Sequence, residues 1–396
     1  MSGMWGIKQP LRGAAALAMA TAVVLCSTQA ASASASPQTL ASVTVRSPIG
    51  AYGGWVVWSA PVSGGWGLDA YHEDSVKALP VAPRAQPFDV DLGTNASGGV
   101  VATFSRCVKT PRYEADLFLE LEGVGCRVHV LNLASERERA PAIPHPADTS
   151  DTTPSMWDGN IAFARYDPRH HADVAQLLLW SGRTHKLRVL RHGATPTGQP
   201  CPPAKGEGGR RIRESKTECL PSSIKGDITE GAIESIDLGP DLVSFLWKID
   251  GPGVLSTGGG WEVRADRLAT GASLLAGSGL HGDVCMAGID GSVPSYPSVE
   301  GERVWYTQLE SECYVNTISV RRFDTVSDRV SSSAPVQGEV LQVVHSGSAL
   351  YALVAPAPNG EVDPTCSTTA PCSIERLPTP KLKREKWLPD SPFTEG

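Results

Sequence analysis

Six short apolar runs punctuate this chain, and no other feature restricts its fold so strongly. They are Gly54-Trp55-Val56-Val57-Trp58-Ser59, Gly99-Val100-Val101-Ala102-Thr103-Phe104, Asn160-Ile161-Ala162-Phe163, Leu242-Val243-Ser244-Phe245-Leu246-Trp247, Arg303-Val304-Trp305-Tyr306 and Ala349-Leu350-Tyr351-Ala352-Leu353-Val354. Counted from Trp55, Val100, Ile161, Val243, Val304 and Leu350, the steps are 45, 61, 82, 61 and 46 residues. The runs are bounded by Gly, Pro, Asp and Ser and show no helical period, so they read as buried β-strands.

Each run has a companion strand before it: Ser42-Val43-Thr44-Val45, Phe88-Asp89-Val90-Asp91, Met156-Trp157, Ile233-Glu234-Ser235-Ile236-Asp237, Tyr296-Pro297-Ser298-Val299 and Val340-Leu341-Gln342-Val343-Val344. In the third copy the unit continues with Val174-Ala175-Gln176-Leu177-Leu178-Leu179-Trp180, a Ser181-Gly182 turn, then Lys186-Leu187-Arg188-Val189-Leu190-Arg191. A four-stranded sheet with two apolar faces is unstable alone in water. Stacking such sheets radially buries both faces and leaves only short edges. The shorter steps fit a four-strand blade, and the longer ones carry insertions. The expected fold is therefore all-β, a six-bladed β-propeller of four-stranded antiparallel blades. A seventh blade would need another apolar strand pair in the 82-residue step. The segment from Gly193 to Thr229 shows none and reads instead as a disulfide-bearing loop insertion near 194–229.

Met156-Trp157-Asp158-Gly159-Asn160-Ile161-Ala162-Phe163 resembles the Ser-Pro-Asp-Gly turn and apolar strand of the TolB-like (WD40-like) repeat. Weaker echoes are Asp91-Leu92-Gly93, Asp237-Leu238-Gly239 and Glu300-Gly301-Glu302. The resemblance covers roughly residues 40–390. It implies a six-bladed propeller that binds proteins or small ligands at the ends of its channel, and no single activity.

The N-terminus sets a compartment. Lys8 and Arg12 precede the apolar run Ala14–Cys26, and a ladder of small residues, Ala30–Ser36, comes after it. That is the pattern of a secretory signal peptide, assigned to residues 1–36, with cleavage between Ala30 and Pro37. Residues 37–396 are then one propeller domain, secreted or extracytoplasmic. The run is short for an uncleaved anchor, and Cys26 follows Leu25 rather than the small residue a lipidation signal wants. Of nine cysteines, eight remain, in four couples: Cys107 with Cys126, Cys201 with Cys219, Cys285 with Cys313, and Cys366 with Cys372. An even count in an exported chain indicates disulfides, and local pairing is the simplest connectivity.

Charge removes other classes. The formal net charge is -7, and no basic stripe exists for nucleic acid. No apolar run is long enough for stable membrane insertion once the signal is removed. The chain also lacks a Gly-x-Ser-x-Gly elbow, a His-Glu-x-x-His pair and a phosphate-binding Gly-rich loop. Polar clusters such as Asp167–Asp173 with His170 and His171, Tyr71–Asp74 and His281–Asp283 read as solvated loops. Ser235–Leu242 nearly matches a sialidase-type Asp box and reads as a turn in which Asp237 bonds local backbone. Trp55, Trp58, Trp247 and Trp305 read as core between blades rather than carbohydrate platforms. The basic tail Lys381–Trp387 reads as a last strand of the closing blade.

No catalytic, cofactor-binding or metal residue is assigned, and no cofactor is expected. Calcium among channel carboxylates stays open, although no EF-hand-type ligand run is present. The expected function is that of an exported, non-enzymatic, monomeric module that binds a protein, glycan or small ligand at a channel mouth. The alternative is an extracytoplasmic hydrolase or lyase with a carboxylate-lined site there. The two are distinguished by whether three or more acidic or His side chains from different blades converge.

Overall fold

A computed structural model describes residues 36–108, 123–147, 149–166, 175–191, 230–250, 260–285, 288–312, 315–333, 339–356 and 366–384. The first strand, β1 (Gln38–Val43), does not join the blade next to it in sequence. Blade one holds β2 (Ile49–Tyr52), β3 (Trp55–Val62), β4 (Gly65–His72) and β5 (Ser75–Ala78). Blade two holds β6 (Asp91–Thr94), β7 (Val100–Arg106), β8 (Arg127–Asn132) and β9 (Arg137–Arg139). Blade three holds β10 (Ser150–Trp157), β11 (Asn160–Tyr166), β12 (Ala175–Ser181) and β13 (Lys186–Arg191). Blade four holds β14 (Glu230–Leu238), β15 (Leu242–Asp250), β16 (Gly260–Arg267) and β17 (Ser273–Cys285).

In blade five the inner strand is split into β18 (Gly288–Pro294) and β19 (Ser298–Glu300). Both halves pair with β20 (Arg303–Glu312), and β21 (Val315–Asp324) and β22 (Arg329–Ser332) complete the blade. The far end of β17 doubles back to pair with β18, so blades four and five share a continuous sheet. Blade six holds β23 (Glu339–Ser346), β24 (Ala349–Ala355) and β25 (Cys372–Leu377), and β1 is its outermost strand. The fold is thus the all-β, six-bladed propeller expected, with all six apolar runs as second strands.

Two expectations change. Ser42–Val45 is not the inner strand of blade one. Ser42 and Val43 belong to β1, which pairs with Ser373 and Cys372 and closes the ring, while Ile49–Tyr52 supplies the inner strand. The basic tail does not close blade six either. Its strand β26 (Lys383–Arg384) lies against Ser331 and Ser332 on the outer edge of blade five.

Six apolar clusters fill the seams between neighbouring blades. In the seam between blades two and three, Val101 and Val130 meet Ile161, Phe163 and Leu178. In the closing seam, Val43, Tyr351, Leu353 and Ile374 of blade six meet Val56 and Trp58 of blade one. Because strand side chains alternate, this assignment fixes register. Ile161, Val243, Val304 and Leu350 all face the preceding blade, and so does Val56, whereas Val57 faces blade two. The repeat in blade one is therefore counted from Val56, one residue later than the sequence spacing indicates. The equivalent, inter-blade set is Trp58, Ala102, Phe163, Phe245, Tyr306 and Ala352. All six are buried.

The hairpins between first and second strands are tight. At Asp158-Gly159 both residues have positive φ, 46° and 74°, the type I′ geometry that matches strand twist.

Candidate functional site

Antiparallel strands send their connections alternately to the two ends of the ring. At one end every connection is five residues or fewer, as at Gly53-Gly54, Asp158-Gly159 and Gly347-Ser348. At the other end the long segments leave and rejoin the blades: 79–90, 107–126, 167–174, 192–229, 251–259 and 356–371. Both described disulfides brace that end. Cys107–Cys126 closes the connection between β7 and β8, and Cys366–Cys372 the one between β24 and β25. Their pairings are those expected. Cys201, Cys219, Cys313, His170 and His171 lie outside the described residues, and with them the other two pairings and the insertion. Cys285 ends β17.

At this end Asp151 anchors the chain entering blade three. Arg165 donates Nε to its Oδ1 at 2.6 Å and Nη2 to its Oδ2 at 2.8 Å, and a second donation from Nη2 reaches the Pro144 carbonyl. His145 Nδ1 lies 3.0 Å from Asp151 Oδ2. All three side chains are buried, so this is a closed staple with no open face for a ligand.

Inside the ring one position recurs on every inner strand, opposite the second residue of the apolar repeat: Gly50, Gly93, Ser155, Asp237, Ser298 and Val344. It faces the backbone of the next inner strand, and that neighbour dictates the residue type. At Gly50 and Gly93 a Cβ would run into the backbone of Leu92 and of Met156. Elsewhere a side-chain oxygen accepts from that backbone: Ser155 from Leu238 N–H at 2.8 Å, Asp237 from Val299 N–H at 2.7 Å, Ser298 from His345 N–H at 3.1 Å. Gln342, two residues before Val344, closes the circuit by exchanging two hydrogen bonds with Ile49. Asp237 therefore ties blade four to blade five, where the sequence indicated a local turn. Asp91-Leu92-Gly93 likewise lies in a strand and not in an Asp-Gly turn.

Asp89, Asp91 and Asp237 line one channel cavity with Thr153, Ser235 and Gln342, and its volume is about 30 Å³. Asp89 is a structural hub: its Oδ1 takes Arg84 at 3.2 Å and Ser105 N–H at 2.9 Å, and its Oδ2 takes Thr153 N–H at 2.8 Å. Asp91 and Asp237 are different, because both share Ser155 as a hydrogen-bond partner and, among the described residues, no cation pairs with either. Burial, and secondarily the charge of Asp237, pushes the Asp91 carboxyl well above the usual range. Burial also pushes Asp237 up to about 6, against donation from Val299, Ser298, Leu238 and Ser155. At neutral pH the pair tends to retain a proton.

The remaining candidates are structural. Tyr71 Oη donates to Asp74 at 2.8 Å, closing its own turn. His72 stacks on Trp55 with centroids 3.9 Å apart, and Lys77 lies 5.3 Å from the same ring, so Trp55 is not a free platform. His281–Asp283 lies on β17. Among the described residues no helix is long and apolar enough to cross a membrane.

No protein-family model and no curated protein matches this chain. Among solved structures it is similar to an oligogalacturonate lyase in complex with manganese (9% identity, 85% of this chain and 90% of that chain, TM-score 0.40). It is similar to the β-propeller domain of the trilobed protease from Pyrococcus furiosus (7% identity, 86% and 97%, TM-score 0.40). An ulvan lyase shares 9% identity over 88% of this chain and 86% of its own, with TM-score 0.44. These likenesses are of fold, and the chain is assigned to no family.

Proposed function

We propose that this chain is an exported, TolB-like binding module that takes a protein, glycan or small ligand on its loop-bearing end. The observation that carries this is the one-sided distribution of connections. The long connecting segments leave and rejoin the blades at one end, where both described disulfides lie, and the other end is trimmed to tight turns, the arrangement by which rigid folds present recognition loops. Disulfides fit an oxidising compartment outside the cytoplasm, in keeping with a cleaved signal peptide over residues 1–36.

A hydrolase or lyase working from the channel finds less support. Asp91 and Asp237 come from two blades only, and among the described residues no three His, Cys, Asp or Glu side chains form a metal-holding group. The channel cavity of about 30 Å³ is far below the roughly 300–1,000 Å³ of ligand pockets.

The test is a binding screen of the mature chain against polysaccharides and extracellular proteins by calorimetry, run beside assays for new reducing ends and unsaturated uronides. Binding should vanish when 194–229 is replaced by a short Gly-Ser linker, with the melting temperature retained. It should survive Glu73→Ala at the opposite end. Turnover that disappears in Asp91→Asn or Asp237→Asn would overturn the binding-module reading in favour of an enzyme.

A further inference from the structure

We infer that the channel cavity is a site for a hard cation, calcium by its donor chemistry, held between blades two, three and four. Three side-chain oxygens on residues that line this cavity carry the inference. Oδ2 of Asp91, Oγ1 of Thr153 and Oγ of Ser235 are sealed from solvent and have no hydrogen-bond partner among the described residues. Thr153 is only 9% exposed. Native proteins satisfy nearly all such atoms, so three in one wall mark a partner that belongs there.

The charge around the cavity points to the partner's sign. Asp89, Asp91, Glu234 and Asp237 line it, and no Lys, Arg or His does. Asp89 is already paired with Arg84, and Glu234 has an interaction of its own, which leaves Asp91 and Asp237. A water molecule would satisfy hydroxyls, yet it would leave the buried carboxylate charge of the Asp91–Asp237 pair uncompensated. A cation does both. The space of about 30 Å³ accommodates one ion or one to two waters. The lining offers no Cys, Met or His to a soft metal, and its uneven mixture of carboxylate and hydroxyl among apolar side chains suits calcium, which tolerates irregular coordination, better than magnesium. With two carboxylates available, the affinity belongs to the range of extracellular modules, about 10⁻⁴ to 10⁻³ M.

The mature chain, freed of metal by chelator, is titrated calorimetrically with calcium chloride, with magnesium and manganese chlorides in parallel, and the melting temperature is tracked. One calcium per chain and a melting temperature that climbs with calcium are expected. Magnesium should bind at least tenfold more weakly. Asp91→Asn and Asp237→Asn should each weaken calcium at least tenfold. Thr153→Val, which keeps the side-chain shape, should weaken it several-fold without lowering the melting temperature measured in chelator. No heat and no thermal shift up to about 10 mM calcium would overturn the site. So would binding undiminished in all three variants, which places the ion elsewhere, or a calcium-soaked crystal with only water in the cavity.

Discussion

Single residues here are tuned by what faces them, and two kinds of titrating group pull stability in opposite directions. His129 and His345 are held below the ordinary histidine range, chiefly by burial, with Glu138 and Glu300 opposing. His345 also stacks on Trp305 at 5.2 Å. A depressed histidine leaves stability intact above the usual histidine pKa. As pH falls through that value the unfolded chain takes up protons that the native rings refuse, and stability drops. A melting series from pH 8 to 5 should show that decline, and it should shrink in His345→Phe. The channel carboxyls act the other way. With Asp237 near 6 against an ordinary 3.8, the native state keeps a proton that the unfolded chain releases, so stability is lost as pH rises from about 4 through 6. In metal-free buffer Asp91→Asn should therefore raise the melting temperature at pH 7.5 and give no advantage at pH 4. In the core, Phe163 is fully buried between blades two and three, and Phe163→Ala should cost about 3–5 kcal/mol in chemical denaturation.

At the scale of elements, legibility depended on whether the deciding contact was local. The second strands were readable because a buried strand announces itself by an apolar run, whatever its partner. Ser42–Val45 misled because its alternation fits any half-buried strand, and its true partner, β25, lies more than 300 residues away. The carboxyl pair was invisible for a related reason. Asp91-Leu92-Gly93 and Asp237-Leu238-Gly239 look like matched turn signals, yet they sit two residues apart in register: Asp91 opposes Thr103, and Asp237 opposes Ser244. Only the ring brings both carboxyls to Ser155. The strand that matters most for closure is the one the sequence misplaced. Removing residues 36–43 should strip the outer edge from blade six and take Val43 out of the closing seam. The melting temperature should fall by more than about 5 °C, whereas removing β26, which touches blade five through two residues, should change it little.

For the whole molecule, stability is shared around a circuit. Every inner strand passes a hydrogen bond or a close glycine contact to the next, Gln342 of β23 returning the circuit to Ile49. A chain truncated before Val340 loses both β24 and the partner of β1, exposing two apolar faces at once. It should aggregate on expression, and recovery of a soluble, cooperatively melting monomer would argue for a modular array instead.

The placement of β1 has a temporal side. The first structured segment to be made is the last that can dock, since Gln38 waits for Arg376. Until then the five-and-a-half-bladed arc carries an unsealed seam, and closure must bridge nearly the full contour of the chain. Long-range pairing of that kind is slow and leaves edges open to other chains. During synthesis and folding the interval between the first and last strands is thus the period of greatest vulnerability. A copy of β1 from a neighbouring chain could fill the vacant edge as well as the molecule's own, which makes strand exchange through blade six the natural misassembly of this protein at high concentration.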